Sequence, residues 1–238
     1  MIDMNRVLVV AAHPDDEVLG CGATIRKLVE SGAEVRILIL GEGSSCRYST
    51  DQIRSNEVRE AILQRRAFAD QAIEVLGVTD AWFVEFPCGR FDTVPVIEIG
   101  KTIEFHIADF LPDTVITHHG QDTNSDHRIT FNAVNTATRP VPGNCVRTVL
   151  AFETPSSTEW RFVDTFQPSL FVDVSNQIGS KISAFNCYFE TEGRAFPFPR
   201  SPEGLTTLAR LRGMQVGVEA AEAFVIVRTM IMKCNGSD

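Results

Sequence analysis

Apolar and polar positions change period repeatedly along the chain, and the changes predict alternating strands and helices. The run from Val7 to Val10 is continuously apolar, as in a strand buried on both faces, and predicts a first strand over residues 6–12. From Val18 the apolar residues return at helical spacing (Val18, Leu19, Ile25, Leu28, Val29), which predicts a helix over 18–31. A second strand over 34–40 stops at Gly41, completing a βαβ unit whose connection should be right-handed. Further helices are predicted over 52–76, with Gly77 as the stop, and over 96–110. Another starts near Ser125 and closes before Pro140, and two more span 175–190 and 202–217. The remaining strands are predicted over 81–86, 114–117, 146–152, 169–174 and 223–228. Such alternation implies an α/β, Rossmann-like fold: a mainly parallel sheet with helices on both faces.

The length of 238 residues, with 44% hydrophobic, suits one domain over 1–238. No internal repeat or low-complexity linker divides it. A net charge of −9 without a long basic block argues against nucleic acid as a partner. An anionic small substrate would need local arginines, and Arg47, Arg54, Arg59, Arg65 and Arg66 lie close together in sequence. No secretory signal and no apolar stretch of membrane-spanning length is evident, so a soluble cytoplasmic protein is expected. Cys21, Cys46, Cys88, Cys145, Cys187 and Cys234 are scattered without a CxxC pair. They are read as free thiols, with Cys21 a small packing residue at the start of the first helix.

The chemistry concentrates where the first strand runs out. Residues 11–22 read AAHPDDEVLGCG and place His13, Asp15, Asp16 and Glu17 within five positions. Buried ionisable groups at that density need a partner, and a divalent cation is the obvious one. Pro14 biases His13 towards an extended conformation and ends the strand, leaving the two carboxylates in a tight turn. The structural alternative is a capped strand-to-helix turn with surface acids. Two further polar segments follow strands: the loop GEGSSCRYST after the second, and His118, His119 and the segment GQDTNSDHR after the fourth. In an open α/β sheet ligands collect beyond the carboxyl ends of the strands, so all three segments are expected at one edge.

A catalytic zinc site takes three protein ligands and keeps one position open. His13, Asp16 and His127 would supply them, with His118 and His119 as rivals for the third. Neighbouring strand residues face opposite ways, so at most one of that pair should enter the cleft. His106 lies in an apolar helical pattern and is read as structural. Asp15 is left to take a proton from water, and Glu17 either steadies a ligand or serves as an early-turn helix acid.

The segments HPDDEVLGCG, GEG, LGV at 76–78, NSDHR at 124–128 and RGMQVGVEAAEAF at 212–224 together resemble the LmbE or PIG-L family of de-N-acetylases. The resemblance covers nearly the whole chain, and AHPDDE with its distant DH partner is its specific part. It implies a Rossmann-like fold, Zn2+ or another divalent metal such as Fe2+, and hydrolysis of the N-acetyl group of an N-acetylglucosamine-like sugar or its conjugate. It makes His13, Asp16 and His127 the ligands and Asp15 the general base. Arg54 or Arg59 then corresponds to a substrate-holding arginine, and His118, His119, Asn124 and Asp126 to substrate or oxyanion contacts. The chain departs from the family twice, with Asn124 where many members carry a histidine and Ala220 where several carry a tyrosine. DTNSDHR with PSSTEW at 155–160 is similar to a branch associated with surface-polysaccharide or glycoconjugate synthesis.

The expected partner is a small acetamido sugar or conjugate, and homo-oligomerisation is left open. Two other readings compete: a metal-free Rossmann-like module binding a sugar or nucleotide, and a metal-dependent phosphoesterase. The first is weakened because no GxGxxG follows the first strand, and Gly20 and Gly22 come after two acids that would repel a pyrophosphate. The second predicts more basic residues and often a second metal.

Overall fold

A computed structural model describes residues 4–230. Cys234, among the thiols read as free, lies outside the described residues. In chain order the elements are β1 (Arg6–Ala11), α1 (Asp16–Glu30), β2 (Glu34–Gly41), α2 (Asn56–Leu76), β3 (Asp80–Phe86), α3 (Val96–Phe110) and β4 (Thr114–His118). There follow α4 (Ser125–Ala137), β5 (Thr148–Phe152), β6 (Leu170–Asp173), α5 (Ile178–Glu192), α6 (Pro202–Met214) and β7 (Ala221–Thr229).

The strands form one sheet in the order β3-β2-β1-β4-β5-β7-β6. β1 to β5 pair in parallel, whereas β7 runs antiparallel to both β5 and β6. Apolar periodicity predicts that a strand is buried but carries no information on its direction, so the reversed β7 was not legible in the pattern. The chain winds outward from β1 to β3 and then returns to β4. β1 and β4 therefore flank the switch point of the sheet, where loops diverge and leave a crevice.

The alternation of β1 divides the core. Val7, Val9 and Ala11 pack with Ile37 and Ile39 against α1, α2 and α5. Leu8, Val10 and Ala12 pack with Leu38 and Leu40 against α3 and α4. Element ends follow local chemistry. α2 starts at Asn56, four residues later than predicted, because the Ser55 side chain accepts from Val58 N and caps it. It stops at Gly77 as predicted, with φ 79°. α1 begins two residues earlier than the periodicity suggests, since Asp16 and Glu17 are buried and fall outside an apolar pattern.

α1 is also kinked, with Cys21 at φ −148° and ψ 23°. A buried ion pair repairs the break. Glu222 of β7 accepts from Ala23 N at 3.1 Å and Thr24 N at 2.6 Å. Lys181 of α5 donates to Leu19 O at 2.8 Å and to Glu222 at 2.6 Å. The backbone groups released by the kink thus regain partners without water. Just before it, a Cβ on Gly20 would collide with the Phe152 ring, so only glycine lets α1 approach β5 this closely.

Candidate metal centre

Beyond β1 the chain turns sharply through His13 and Pro14 into α1. Asp15 sits at φ 117°, a left-handed conformation that costs a non-glycine residue about 1–3 kcal/mol. The surroundings impose it. Asp15 N donates to Glu17 Oε2 at 3.0 Å, and Glu17 Oε1 accepts from the buried Tyr188 hydroxyl at 2.6 Å. Arg65 Nε of α2 donates to Pro14 O at 2.8 Å. Burial pushes the Glu17 carboxyl up to about 7, against the pull of the Tyr188 hydrogen bond. Glu17 therefore acts on the Asp15 backbone and is not placed on a ligand side chain.

This turn sends its two aspartates to different partners. Asp16 Oδ2 lies 3.3 Å from His13 Nδ1 and 3.2 Å from His127 Nε2, the latter on the first turn of α4. These three residues offer donor atoms that all lie within 4.8 Å of one another, and all are buried. Each imidazole is backed by a carboxylate on its other nitrogen: His13 Nε2 by Asp126 at 2.9 Å, His127 Nδ1 by Asp122 at 3.2 Å. Such a carboxylate fixes the tautomer and raises the basicity of a metal-binding histidine. Asp126 is itself held by Gly89 N at 2.6 Å and Phe91 N at 3.1 Å. Asp122 takes hydroxyl hydrogen bonds from Ser157 and Thr158.

The electrostatics fit a cation. Burial opposes protonation of His13, yet hydrogen bonds to Asp126 and Asp16 carry its pKa up to about 10. His127 is raised to about 9 against the same burial, by the charges of Asp16 and Asp122. Burial alone would raise Asp16, but the charge of His127, with a hydrogen bond from His13, holds it well below the usual carboxylate range. Two imidazoles made this basic converge on one carboxylate, and neither ring nitrogen of the buried His127 meets hydrogen-bond geometry with a described partner. Two nitrogens and one oxygen of this kind match the donor set of a catalytic zinc site, and a divalent ion would replace the protons.

Asp15 meets two guanidiniums instead. Its Oδ2 lies 2.8 Å from Arg200 NH1 and 3.1 Å from Arg65 NH2. Glu192, at the end of α5 and buried, pairs with both arginines and with Arg47 at 2.5 Å. Asp15 thus adjoins the candidate donor group but is not part of it.

The other residues singled out from sequence divide clearly. Of the adjacent histidines, His118 enters the cluster and His119 turns away to pack edge-on against Phe166. His118 stacks on His127 with ring centroids 3.9 Å apart. Its Nε2 accepts from Ala12 N at 2.9 Å, and its Nδ1 lies 3.3 Å from Thr154 Oγ1. Burial, aided by the charge of His127, drives it down to about 3, so it is a neutral packing group with both nitrogens engaged. Asn124, expected at an oxyanion, caps α4 by accepting from Asp126 N at 2.9 Å. Asp126, expected at substrate, supports His13. Arg54 and Arg59 are exposed near the start of α2, and the arginines that reach Asp15 are Arg65 and Arg200. His106 packs between Trp82 and Phe105, away from this edge. Sequence reasoning missed Asp122, Arg200 and Glu192, and it named Arg65 only as one of five clustered arginines, without its link to Asp15. Asp122 was within reach as the second acid of the histidine segment beside Asp126, whereas the arginine pair joins distant stretches that only the fold brings together.

Two scattered cysteines also meet: Cys46 and Cys88 have sulfurs 3.1 Å apart. Cys88 forms a second donor group with His13 and Asp126, although those two are already bonded to each other. Among the described residues no helix is long and apolar enough to cross a membrane.

Residues 8–138 match the PIG-L family, described as GlcNAc-PI de-N-acetylase. The diacetylchitobiose deacetylase of Thermococcus kodakarensis is 30% identical over 192 residues, which cover 76% of this chain and 68% of the relative. The solved N,N'-diacetylchitobiose deacetylase of Pyrococcus horikoshii superposes with a TM-score of 0.74 at 21% identity, over 98% of this chain and 88% of that one. The 4-carboxy-2-hydroxymuconate hydratase GalB of Pseudomonas putida gives 0.75 at 22% identity, over 98% and 100%. At these identities the two structures speak for the fold alone.

Proposed function

The chain belongs to the PIG-L family of GlcNAc-PI de-N-acetylases, and on that premise we propose that it hydrolyses the acetamide of an N-acetylglucosamine-type sugar or its conjugate. His13, Asp16 and His127 are the metal ligands, with zinc the first choice and Fe2+ the alternative. The observation that carries this reading is the convergence of His13 Nδ1, Asp16 Oδ2 and His127 Nε2, each histidine backed by a carboxylate, beside a separate Asp15.

A divalent ion on these donors supplies Lewis acidity towards an amide carbonyl and lowers the pKa of water to about 7. Asp15 takes the proton from the water that attacks the carbonyl carbon. The C–N bond then breaks, acetate leaves, and the amine needs a proton. With Asn124 taken up by the helix cap and both His118 nitrogens engaged, Asp15 is the group that returns it. Arg65 and Arg200 hold the Asp15 carboxylate at Oδ2. The left-handed turn at Asp15 is what separates base from ligand, at the cost of local strain.

The reading is tested by an amine-release screen of zinc-loaded protein against free, nucleotide-linked and lipid-linked acetamido sugars. Release from at least one class is expected, abolished by a chelator and restored by metal. Tight metal binding with no release across the panel would contradict it.

A further inference from the structure

Next to Asp15 the surface opens into a cavity of about 220 Å³ whose wall includes Arg47, Trp160, Arg194, Phe198 and Arg200 together with the carboxylate of Glu192. Its charge runs against that of the chain, whose net charge is −9. Four guanidiniums, those of Arg47, Arg65, Arg194 and Arg200, stand here against the carboxylates of Asp15 and Glu192. Glu192 gathers three of the four and so holds Arg47 and Arg200 on the cavity wall. Arg194 is different. It is exposed, it lies over the Phe198 ring at 5.8 Å, and no carboxylate among the described residues pairs with it. Trp160, 45% exposed, continues that wall with its ring centroid 6.0 Å from Phe198. A guanidinium spread on an aromatic face keeps its N–H edge free for a planar anion.

We propose that this cavity is a subsite for an anionic group, a phosphate or a carboxylate, carried on the aglycone side of the acetamido sugar, with Arg194 as its principal contact. The proposal rests on the de-N-acetylase reading for the position of the sugar, but the anion site itself does not require turnover. Arg47, shared with Glu192, lines the same cavity, and Trp160 supplies a flat apolar surface for the ring that carries the anion.

The test compares methyl N-acetylglucosaminide, N-acetylglucosamine 1-phosphate and a carboxymethyl N-acetylglucosaminide as substrates of the zinc-loaded protein and of Arg194→Gln. Hydrogen bonds to a charged group predict an advantage of about tenfold or more in kcat/KM for at least one anionic glycoside, expressed in KM. Which one gains distinguishes phosphate from carboxylate. Arg194→Gln should remove the advantage, and Arg194→Lys should restore part of it. Equal kcat/KM for all three glycosides, or an equal loss on all three in Arg194→Gln, overturns the proposal. Calorimetry with glucose 1-phosphate and carboxymethyl glucoside, which have no acetamide, separates the two readings. Binding to the wild type but not to Arg194→Gln, with no glycoside turned over, would retain the subsite and reject the deacetylase. Absence of binding by both would reject the subsite whatever the activity.

Discussion

Two clusters of buried charge lie along α1, one at its start and one at its mid-helix kink, and they are built differently. At the kink, Lys181 and Glu222 are closed: every contact they make returns to a backbone group or to each other. At the start of the helix, His13, Asp16 and His127 are open, with two basic imidazoles facing one carboxylate oxygen and both buried His127 nitrogens lacking hydrogen-bond geometry. A closed cluster replaces the solvation it lost and needs nothing more. An open one is stable only if a ligand completes it, and so it marks the place for chemistry. The difference teaches that buried charge alone does not identify a site; incomplete pairing does.

The comparison is broken most severely by His127→Ala, which should lose bound metal and turnover together while far-UV circular dichroism stays native. Full metal occupancy in that variant would remove His127 from the ligand set. Lys181→Met attacks the closed cluster and leaves Glu222 buried and unpaired, for an expected loss of about 3–5 kcal/mol in denaturant unfolding. Metal affinity should persist in its folded fraction, and a loss of affinity without a loss of stability would erase the distinction between the clusters. Asp122→Asn removes the carboxylate behind His127, and metal competition titration should report weakening of about 10- to 100-fold. The smallest effects belong to Arg54→Ala and Arg59→Ala, exposed and remote from Asp15, with stability expected to change by no more than about 0.5 kcal/mol. A large rise in KM for either would return that arginine to the substrate.

Much of the open cluster was legible in sequence because a strand end, a proline and paired acids occur within one short segment, and because His127 follows another strand. The closed cluster was not. Glu222 reads as one acid in a small-residue strand and Lys181 as a helix surface charge, and nothing local signals the kink at Cys21 that they repair. The same limit explains the arginines. Arg65 sits in mid-helix and Arg200 in a proline-rich loop, and only the packing of α2 and α5 beside the β1 turn brings them to Asp15. Strand direction was hidden for a related reason, since the reversal of β7 depends on which neighbours it inserts between.

The division of labour between the adjacent aspartates is the centre of the account, and Asp15→Asn tests it most directly. Metal content and acetate release should be measured side by side on this variant and the wild type, with an acetamido sugar that the wild type hydrolyses. The expected result is equal metal content and a turnover lower by about 10²- to 10⁴-fold. Loss of the metal in Asp15→Asn, or turnover near that of the wild type, would contradict it.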